Sequence, residues 1–229
     1  MNTYAELTPS SATRTVEQRQ AGPLDDPTQA AIYYALRDLM SEQGEALAIA
    51  SGTGAEVGWL SERMSWINWQ PTDADPQQLR LLATYVQSLN RPNLQAPRLL
   101  EVHNPCWPLA GAPYDLIYCS NLLHKASRSS SAQVMRGAAM LLASGGALVT
   151  RGPFLEDHVL TSAEHLALDD ELRAFNPDWG LRRREELEAH AARAGLELTQ
   201  RIELPDGELL LVWEHTSRSP KRPKNMIWL

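Results

Sequence analysis

The chain has 229 residues and 43% of them are hydrophobic, which is enough for one domain with a substantial core and additions at its ends. The formal net charge is −7, from 21 basic and 28 acidic residues, so the surface cannot neutralise a phosphate backbone broadly. We therefore expect no nucleic-acid partner. The two cysteines, Cys106 and Cys119, do not have metal-ligand spacing, which predicts no metal site and reduced thiols in the cytoplasm.

The two ends of the chain differ in composition from the part between them. Residues 1–24 are rich in Ser, Thr, Gln and Pro, which predicts a flexible arm rather than an export signal. Residues 217–229 form a basic tail that ends in an apolar tetrapeptide. Such a tail is either solvated or docked on a neighbour, and the second case would give a homodimer. No run of eighteen apolar residues occurs, so we expect no membrane span.

Residues 25–216 alternate short apolar runs with amphipathic segments. In chain order, the predicted elements are a helix over 26–43, a strand over 45–50, a helix over 55–64, a strand over 66–69 that breaks at 70–73, a helix over 76–89, strands over 98–102 and 114–119, a helix over 132–142, a strand over 147–151, a helix over 183–194, and strands over 196–204 and 208–215. This alternation predicts an α/β, Rossmann-like fold, with a seven-stranded, mostly parallel sheet covered by helices on both faces. The turn at 205–207 makes the last strand antiparallel.

Residues 152–180 interrupt this rhythm. They are rich in His, Asp, Pro and aromatic residues, and the segment is longer than a usual connection between a strand and a helix. Long connections of this kind often carry function. We therefore predict a lid or a substrate-facing insertion within the domain.

The first predicted strand runs directly into Ser51, Gly52, Thr53 and Gly54. Glycines after a strand can adopt positive φ and let a ligand approach the backbone, because no Cβ is in the way. This arrangement is typical of nucleotide and nucleoside sites in α/β proteins. A plain tight turn is the alternative interpretation of the same residues.

The glycine loop and several longer motifs resemble those of a known protein family. They are 50–54 (Ala-Ser-Gly-Thr-Gly), 69–73 (Trp-Gln-Pro-Thr-Asp), 114–118 (Tyr-Asp-Leu-Ile-Tyr) with Asn121 and His124, 145–148 (Gly-Gly-Ala-Leu), 152–154 (Gly-Pro-Phe) and 179–182 (Trp-Gly-Leu-Arg). With the order of the elements, these motifs resemble class I S-adenosylmethionine-dependent methyltransferases, and among them the DUF938 or methyltransferase-like 26 family. The similarity covers roughly residues 45–215.

The resemblance implies a transferase that uses S-adenosylmethionine, with methyl transfer to a small molecule as its reaction. The implied cofactor-binding residues are Ser51, Gly52, Thr53, Gly54, Asp73, Glu101, Val102, Ser120 and Asn121. In this scheme the glycine loop lies close to the methionine and ribose parts of the cofactor. The Asp73 carboxylate accepts hydrogen bonds from the ribose hydroxyls, and Glu101 and Val102 flank the adenine ring. Helix capping is the alternative role for Asp73, and a solvated strand end is the alternative for Glu101.

His124 and Asn121 are the candidate catalytic residues. Both follow the fourth predicted strand, and a neutral imidazole can accept a proton near pH 7 if the acceptor is protonated. A histidine that is hydrogen-bonded within a loop is the alternative. Because methyl transfer needs mainly alignment, we expect positioning to supply most of the rate.

The chain departs from the family pattern at several positions. Ala48 stands where the pattern has an acidic residue that helps to hold the ammonium of the cofactor, and Ala50 stands where it has a glycine. Asp206 and Gly207 replace a pair similar to Asn-Asn, and a motif of the Glu-Arg-Asn type is not evident before Pro27.

Three hypotheses therefore stay open. The first is a small-molecule methyltransferase. The second is an enzyme in which the amine of the cofactor attacks its own γ-carbon and releases methylthioadenosine, since loss of the acid at Ala48 favours the neutral amine. The third is a non-catalytic protein that binds S-adenosylmethionine or a partner.

Overall fold

The computed structural model describes residues 26–40, 42–109 and 113–216. The helices are α1 (Pro27–Leu39), α2 (Ala55–Arg63), α3 (Pro76–Leu89), α4 (Arg128–Leu141), α5 (Ala163–Phe175) and α6 (Arg184–Ala194). The strands are β1 (Gly44–Ile49), β2 (Ile67–Asp73), β3 (Arg98–Leu99), β4 (Tyr114–Ser120), β5 (Leu142–Gly152), β6 (Phe154–Leu155), β7 (Arg182–Arg183), β8 (Leu196–Glu203) and β9 (Leu209–His215). A short 3₁₀ helix covers Leu123–Lys125. The predicted arm and tail lie outside the described residues.

Seven strands form one sheet in the order β3-β2-β1-β4-β5-β9-β8. The first five strands in this order, β3, β2, β1, β4 and β5, are mutually parallel. β9 lies between β5 and β8 and is antiparallel to both. The direction of winding reverses between β1 and β4, which is where ligands bind in open α/β sheets. The predicted fold class is confirmed, including the antiparallel last strand.

Helices cover both faces of this sheet. Buried side chains of α1, α2 and α3 pack on one face, and those of α4 and α6 pack on the other. Along β4, Leu116 and Tyr118 belong to the first face while Ile117 and Cys119 belong to the second. This alternation fixes the register, since a slip by one residue would exchange the two faces. No helix within the described ranges is both long and apolar enough to cross a membrane.

Three strands differ from the prediction by more than one residue at an end. β2 does not break at residue 70 but continues to Asp73, because Pro71 and Thr72 are buried and the Thr72 hydroxyl donates to the Ala48 carbonyl at 2.8 Å. β5 begins at Leu142 and runs through its two glycines, and a Cβ on Gly146 would lie 2.8 Å from a carbonyl oxygen of β4. β3 has only two residues, so the predicted adenine-flanking pair lies beyond it.

The segment 152–180 is structured. It leaves the sheet through β6, forms α5 and returns through β7, which pairs parallel with β6. Leu172, Trp179 and Leu181 form a small core of its own. The Asp169 carboxylate accepts from the Leu181 N–H at 2.7 Å and ties α5 to the returning chain. Its role as a lid or substrate-facing insertion stays a prediction.

We predict that Gly137→Ala lowers the free energy of unfolding by about 1–3 kcal/mol, although alanine favours helices. A Cβ at this position of α4 would lie 2.2 Å from the Trp107 ring, whose indole N–H donates to the Val102 carbonyl at 3.2 Å. Urea unfolding followed by circular dichroism measures the change.

Gly58→Ala in α2 is the matched control. Its Cβ would approach only the side-chain ends of Tyr85 and Leu89, at 3.0 Å, and these can move. We expect its stability to stay within about 1 kcal/mol of the unsubstituted protein. Equal losses in the two variants would contradict the steric explanation.

Candidate functional site

The loop between β1 and α2 turns through three residues with positive φ, namely Ala50 at 53°, Gly52 at 54° and Gly54 at 81°. A Cβ on Gly52 would meet nothing within 4 Å, so its backbone borders open space. Gly54 is different, because its Cβ would lie 2.5 Å from Leu82 of α3. The left-handed conformation of Ala50 costs about 1–2 kcal/mol relative to a glycine. The loop therefore keeps its backbone path even where a side chain replaces a family glycine.

Asp73, at the end of β2, is hydrogen-bonded to this loop. One carboxylate oxygen accepts from the Gly52 N–H at 3.0 Å, and the other accepts from the Asp75 N–H at 3.0 Å. The N-cap of α3 is Asp75, whose carboxylate accepts from the Gln77 N–H at 2.7 Å. The capping alternative for Asp73 is thus wrong, and its carboxylate lies beside the loop, half-buried.

Ala48 lies next to the loop at the end of β1, with its side chain buried among those that face α1 and α2. Its carbonyl accepts from the Ser51 hydroxyl at 3.2 Å and from the Thr72 hydroxyl at 2.8 Å. Across the sheet its partner on β4 is Tyr118, whose hydroxyl donates to Glu56 at 2.9 Å. The tyrosine opposite Ala48 is therefore bonded to an acid that α2 supplies.

Arg151, near the end of β5, is the centre of a charge cluster at the same edge. Its guanidinium lies 3.0 Å from Glu56, 2.9 Å from Asp206 and 2.9 Å from Glu208. Only 14% of the Arg151 side chain is exposed. This cluster connects the first turn of α2 with the β8–β9 hairpin. Sequence reasoning missed it, and the only local signal is an arginine that ends an apolar strand.

Burial determines the protonation of the groups around this arginine. Burial raises the pKa of the Glu208 carboxyl to about 7, although Arg151 opposes the shift. Burial, with the nearby Glu56, also raises the pKa of Tyr118 well above its ordinary value, so its hydroxyl remains a donor. Lys125 faces Glu208, and burial lowers the pKa of its ammonium group.

The end of β4 brings the candidate catalytic residues together. Asn121 has a φ of 54°, and its N–H donates to the Arg151 carbonyl at 3.0 Å. A Cβ on Gly152 would lie 3.4 Å from Nδ1 of His124 and 3.9 Å from Oδ1 of Asn121. The Ser120 hydroxyl is buried and has no hydrogen-bond partner among the described residues. Polar atoms of Asn121 and His124 thus meet beside Gly152 of β5.

His124 is a weak base in this environment. Burial lowers its pKa to about 3, with smaller contributions from Lys125 and Arg182. Its imidazole is therefore neutral across the physiological range and has little affinity for a proton. A substrate contact made by a neutral ring fits this setting better than proton removal.

The predicted adenine-flanking residues lie in the turn after β3. Glu101 is exposed, and its carboxylate accepts from the His103 N–H at 3.1 Å. Val102 is buried and is held by the hydrogen bond from Trp107 to its carbonyl. Their contact with a cofactor stays a prediction. Within residues 26–40, 42–109 and 113–216, no three His, Cys, Asp or Glu side chains form a group that could hold a metal ion.

A family model described as "Protein of unknown function (DUF938)" matches residues 19–215. The chain belongs to the DUF938 family. The matched range of this DUF938 chain contains the glycine loop, Asp73, the end of β4, Arg151 and the β8–β9 hairpin.

Solved structures share the fold of this DUF938 chain. Three of them are an O-methyltransferase family protein from Burkholderia thailandensis, PigF with SAH, and the S-adenosylmethionine-dependent methyltransferase SibL. Their sequence identities are 16%, 17% and 16%, and their TM-scores are 0.67, 0.68 and 0.66. The matches cover 88%, 82% and 85% of this chain but 60%, 56% and 54% of the other chains. The DUF938 chain therefore has the methyltransferase fold in just over half the length of these proteins.

We predict that the stability contribution of His124 falls as the pH decreases below 6.5. The unfolded imidazole binds a proton near its ordinary pKa of 6.5, whereas the folded one does so only near 3. This contribution is complete above pH 6.5 and is lost progressively between the two values.

Other groups titrate in the same range, so the test compares two proteins. In His124→Gln, the free energy of unfolding should decrease less between pH 7 and pH 4 than in the unsubstituted protein. Parallel curves would show that the folded imidazole titrates normally, and a ring proton resonance that shifts near pH 6.5 would show the same.

Proposed function

We propose that this protein is an S-adenosylmethionine-dependent transferase, with methyl transfer to a small molecule as its reaction. One observation carries the proposal. At the edge of the sheet where β1 and β4 diverge, the Asp73 carboxylate lies 3.0 Å from the backbone nitrogen of an open glycine turn. A carboxylate beside a glycine turn that borders open space, next to a switch point, suits an adenosine cofactor, since its ribose hydroxyls donate to carboxylates.

The residues present fit that cofactor at three points. Gly52 borders open space where a Cβ would block a ligand. Asp73 is half-buried beside it, and the buried Ser120 hydroxyl lies at the end of β4 next to Tyr118, where it would be near the methionine end. Ala48 is the exception, because a buried methyl group cannot hold an ammonium. The adenosine end of the site thus agrees with the family pattern better than the amino-acid end.

Each residue has a task that follows from its position. When bound, S-adenosylmethionine supplies an electrophilic carbon next to a sulfonium. The loop and Asp73 fix the ribose, while Asn121 and His124 flank the space above Gly152. A nucleophile held in line there reacts faster mainly because its approach is restricted.

Glu208 is the stronger base at this edge. Its pKa of about 7 lies far above that of His124, and its carboxylate is 2.9 Å from Arg151. A base with a pKa near the working pH is the most effective one for removing a proton from an acceptor. In this proposal His124 has a neutral contact role beside Gly152, and Glu208, which belongs to the Arg151 cluster, is the titratable group of this edge with the higher pKa.

A second reaction has one specific observation in its favour. The buried Ala48 leaves the amino-acid end without the expected carboxylate, and the nearby Glu56 already accepts from Tyr118 and Arg151. A cofactor amine in such a place would lose its proton more readily. Attack of that amine on its γ-carbon would close a four-membered ring and release methylthioadenosine.

We predict that incubation of the purified protein with S-adenosylmethionine alone distinguishes cyclisation of the cofactor from methyl transfer. Binding without turnover is expected for a methyltransferase that lacks its acceptor, and also for a non-catalytic binder. Methylthioadenosine formed in a protein-dependent way would instead establish the cyclisation. Liquid chromatography with mass spectrometry measures the products, and calorimetry measures binding. Absence of binding would reject the cofactor.

We predict that Asp73→Asn weakens S-adenosylmethionine binding by about tenfold or more, because the ribose loses a charged acceptor. The control is Asp75→Asn, which alters the neighbouring helix cap and leaves the carboxylate beside Gly52 in place. Calorimetric titration should show a normal affinity for this control. Equal affinities in all three proteins would remove Asp73 from the site.

A further inference from the structure

The groove between α4 and α6 contains a cavity that has no part in the proposed transferase site. Its volume is about 350 Å³. It is lined by Arg128, Ser131, Arg182, Glu186, Ala189, His190 and Arg193. Three cations and one carboxylate in a protein whose net charge is −7 form an unusual local excess of positive charge.

None of the three arginines forms an ion pair with a carboxylate of the described residues. Arg182 is 2% exposed, and its hydrogen-bond acceptors among the described residues are the carbonyls of Gly180, Ala126 and Asp178. Burial, together with the nearby cations Arg128 and Arg173, lowers the pKa of Arg182 to about 10. Glu186 and Asp169 lie near this guanidinium but do not form an ion pair with it, and a buried charge without a close counter-ion is costly.

Two buried donors of the lining have no partner among the described residues. They are Nε of Arg182 and the hydroxyl of Ser131, and both residues are only 2% exposed. Buried donors of native proteins are nearly always satisfied by protein, water or a ligand. Both residues belong to the lining of the cavity, although neither donor atom is itself accessible to water. The unpaired cations of the same lining favour a ligand that carries negative charge.

The two helices direct their polar groups into the cavity. Arg128 and Ser131 are one turn apart in the first turns of α4, and no acidic residue occupies the first turn of that helix. Glu186, His190 and Arg193 follow one face of α6. The positive end of the α4 dipole therefore adds to the charge of the arginines.

We propose that this cavity binds a small oxyanion of the phosphate class, either free or as a phosphate monoester. Guanidinium groups match phosphate oxygens in shape and charge, and a helix start with a serine hydroxyl completes such a site. Glu186 is the single negative group of the lining and opposes the anion. The site is independent of the cofactor proposal, since none of its residues belongs to the glycine loop or to the Arg151 cluster.

Calorimetric titration of the full chain with inorganic phosphate, sulfate and glycerol phosphate at constant ionic strength tests the proposal. We expect binding of at least one probe at millimolar concentration, and no comparable signal with chloride. Binding of phosphate itself assigns a free anion, whereas binding of the monoester alone assigns a phosphorylated ligand. If no probe binds, the proposal is wrong.

Variants determine where the anion binds. Arg128→Gln and Arg193→Gln should each weaken binding by about tenfold, while Glu186→Gln should strengthen it several-fold. Arg136→Gln is the control, because this exposed arginine of α4 bonds to Gln133 and does not line the cavity. An equal loss in Arg136→Gln, or a loss in Glu186→Gln, would overturn the assignment. Circular dichroism checks that each variant is folded.

Discussion

The shared direction of the central strands is the constraint on which the site depends. β1, β2, β4 and β5 are parallel, so their last residues reach one edge of the sheet. After β1 the chain enters α2 on one face, and after β4 it enters α4 on the other. The two segments separate and leave a crevice at that edge. Each residue of the candidate site lies at or just beyond a strand end of this edge, or on the hairpin and helix that border it.

The register of the parallel strands determines which residues at this edge lie close enough to form hydrogen bonds. Ala48 lies opposite Pro71 of β2 and Tyr118 of β4, so the loop after β1 begins level with the last residues of both neighbours. The Thr72 hydroxyl can then reach the Ala48 carbonyl, and the Asp73 carboxylate can reach the Gly52 N–H. The buried apolar residues on the two faces determine this register. The geometry of the polar edge is therefore a consequence of core packing.

The sequence predicted correctly those features that depend on a few adjacent residues. Glycines after an apolar strand indicated the loop, and the hairpin turn predicted the antiparallel strand, because each depends on a few adjacent residues. Pro71 and Thr72 were interpreted as a break because polar residues and proline usually end strands, but the Thr72 hydroxyl is satisfied by another strand. Glu56 and Asp206 are 95 and 55 residues from Arg151, so no local pattern could associate them.

The Arg151 cluster also bears on how the site can function without an acidic residue at position 48. A carboxylate at the end of β1 would carry an uncompensated negative charge toward the cofactor. In this chain Glu56 of α2 accepts from Tyr118 and from Arg151, which has two further carboxylate partners. Three carboxylates therefore share one guanidinium, and the contacts of Glu56 join α2 to β4 and β5. The first strand thus ends without the carboxylate of the family pattern, while the β8–β9 hairpin contributes Asp206 and Glu208 to the Arg151 cluster. The proposed cyclisation depends on this arrangement, because a cofactor amine without an adjacent carboxylate loses its proton more readily.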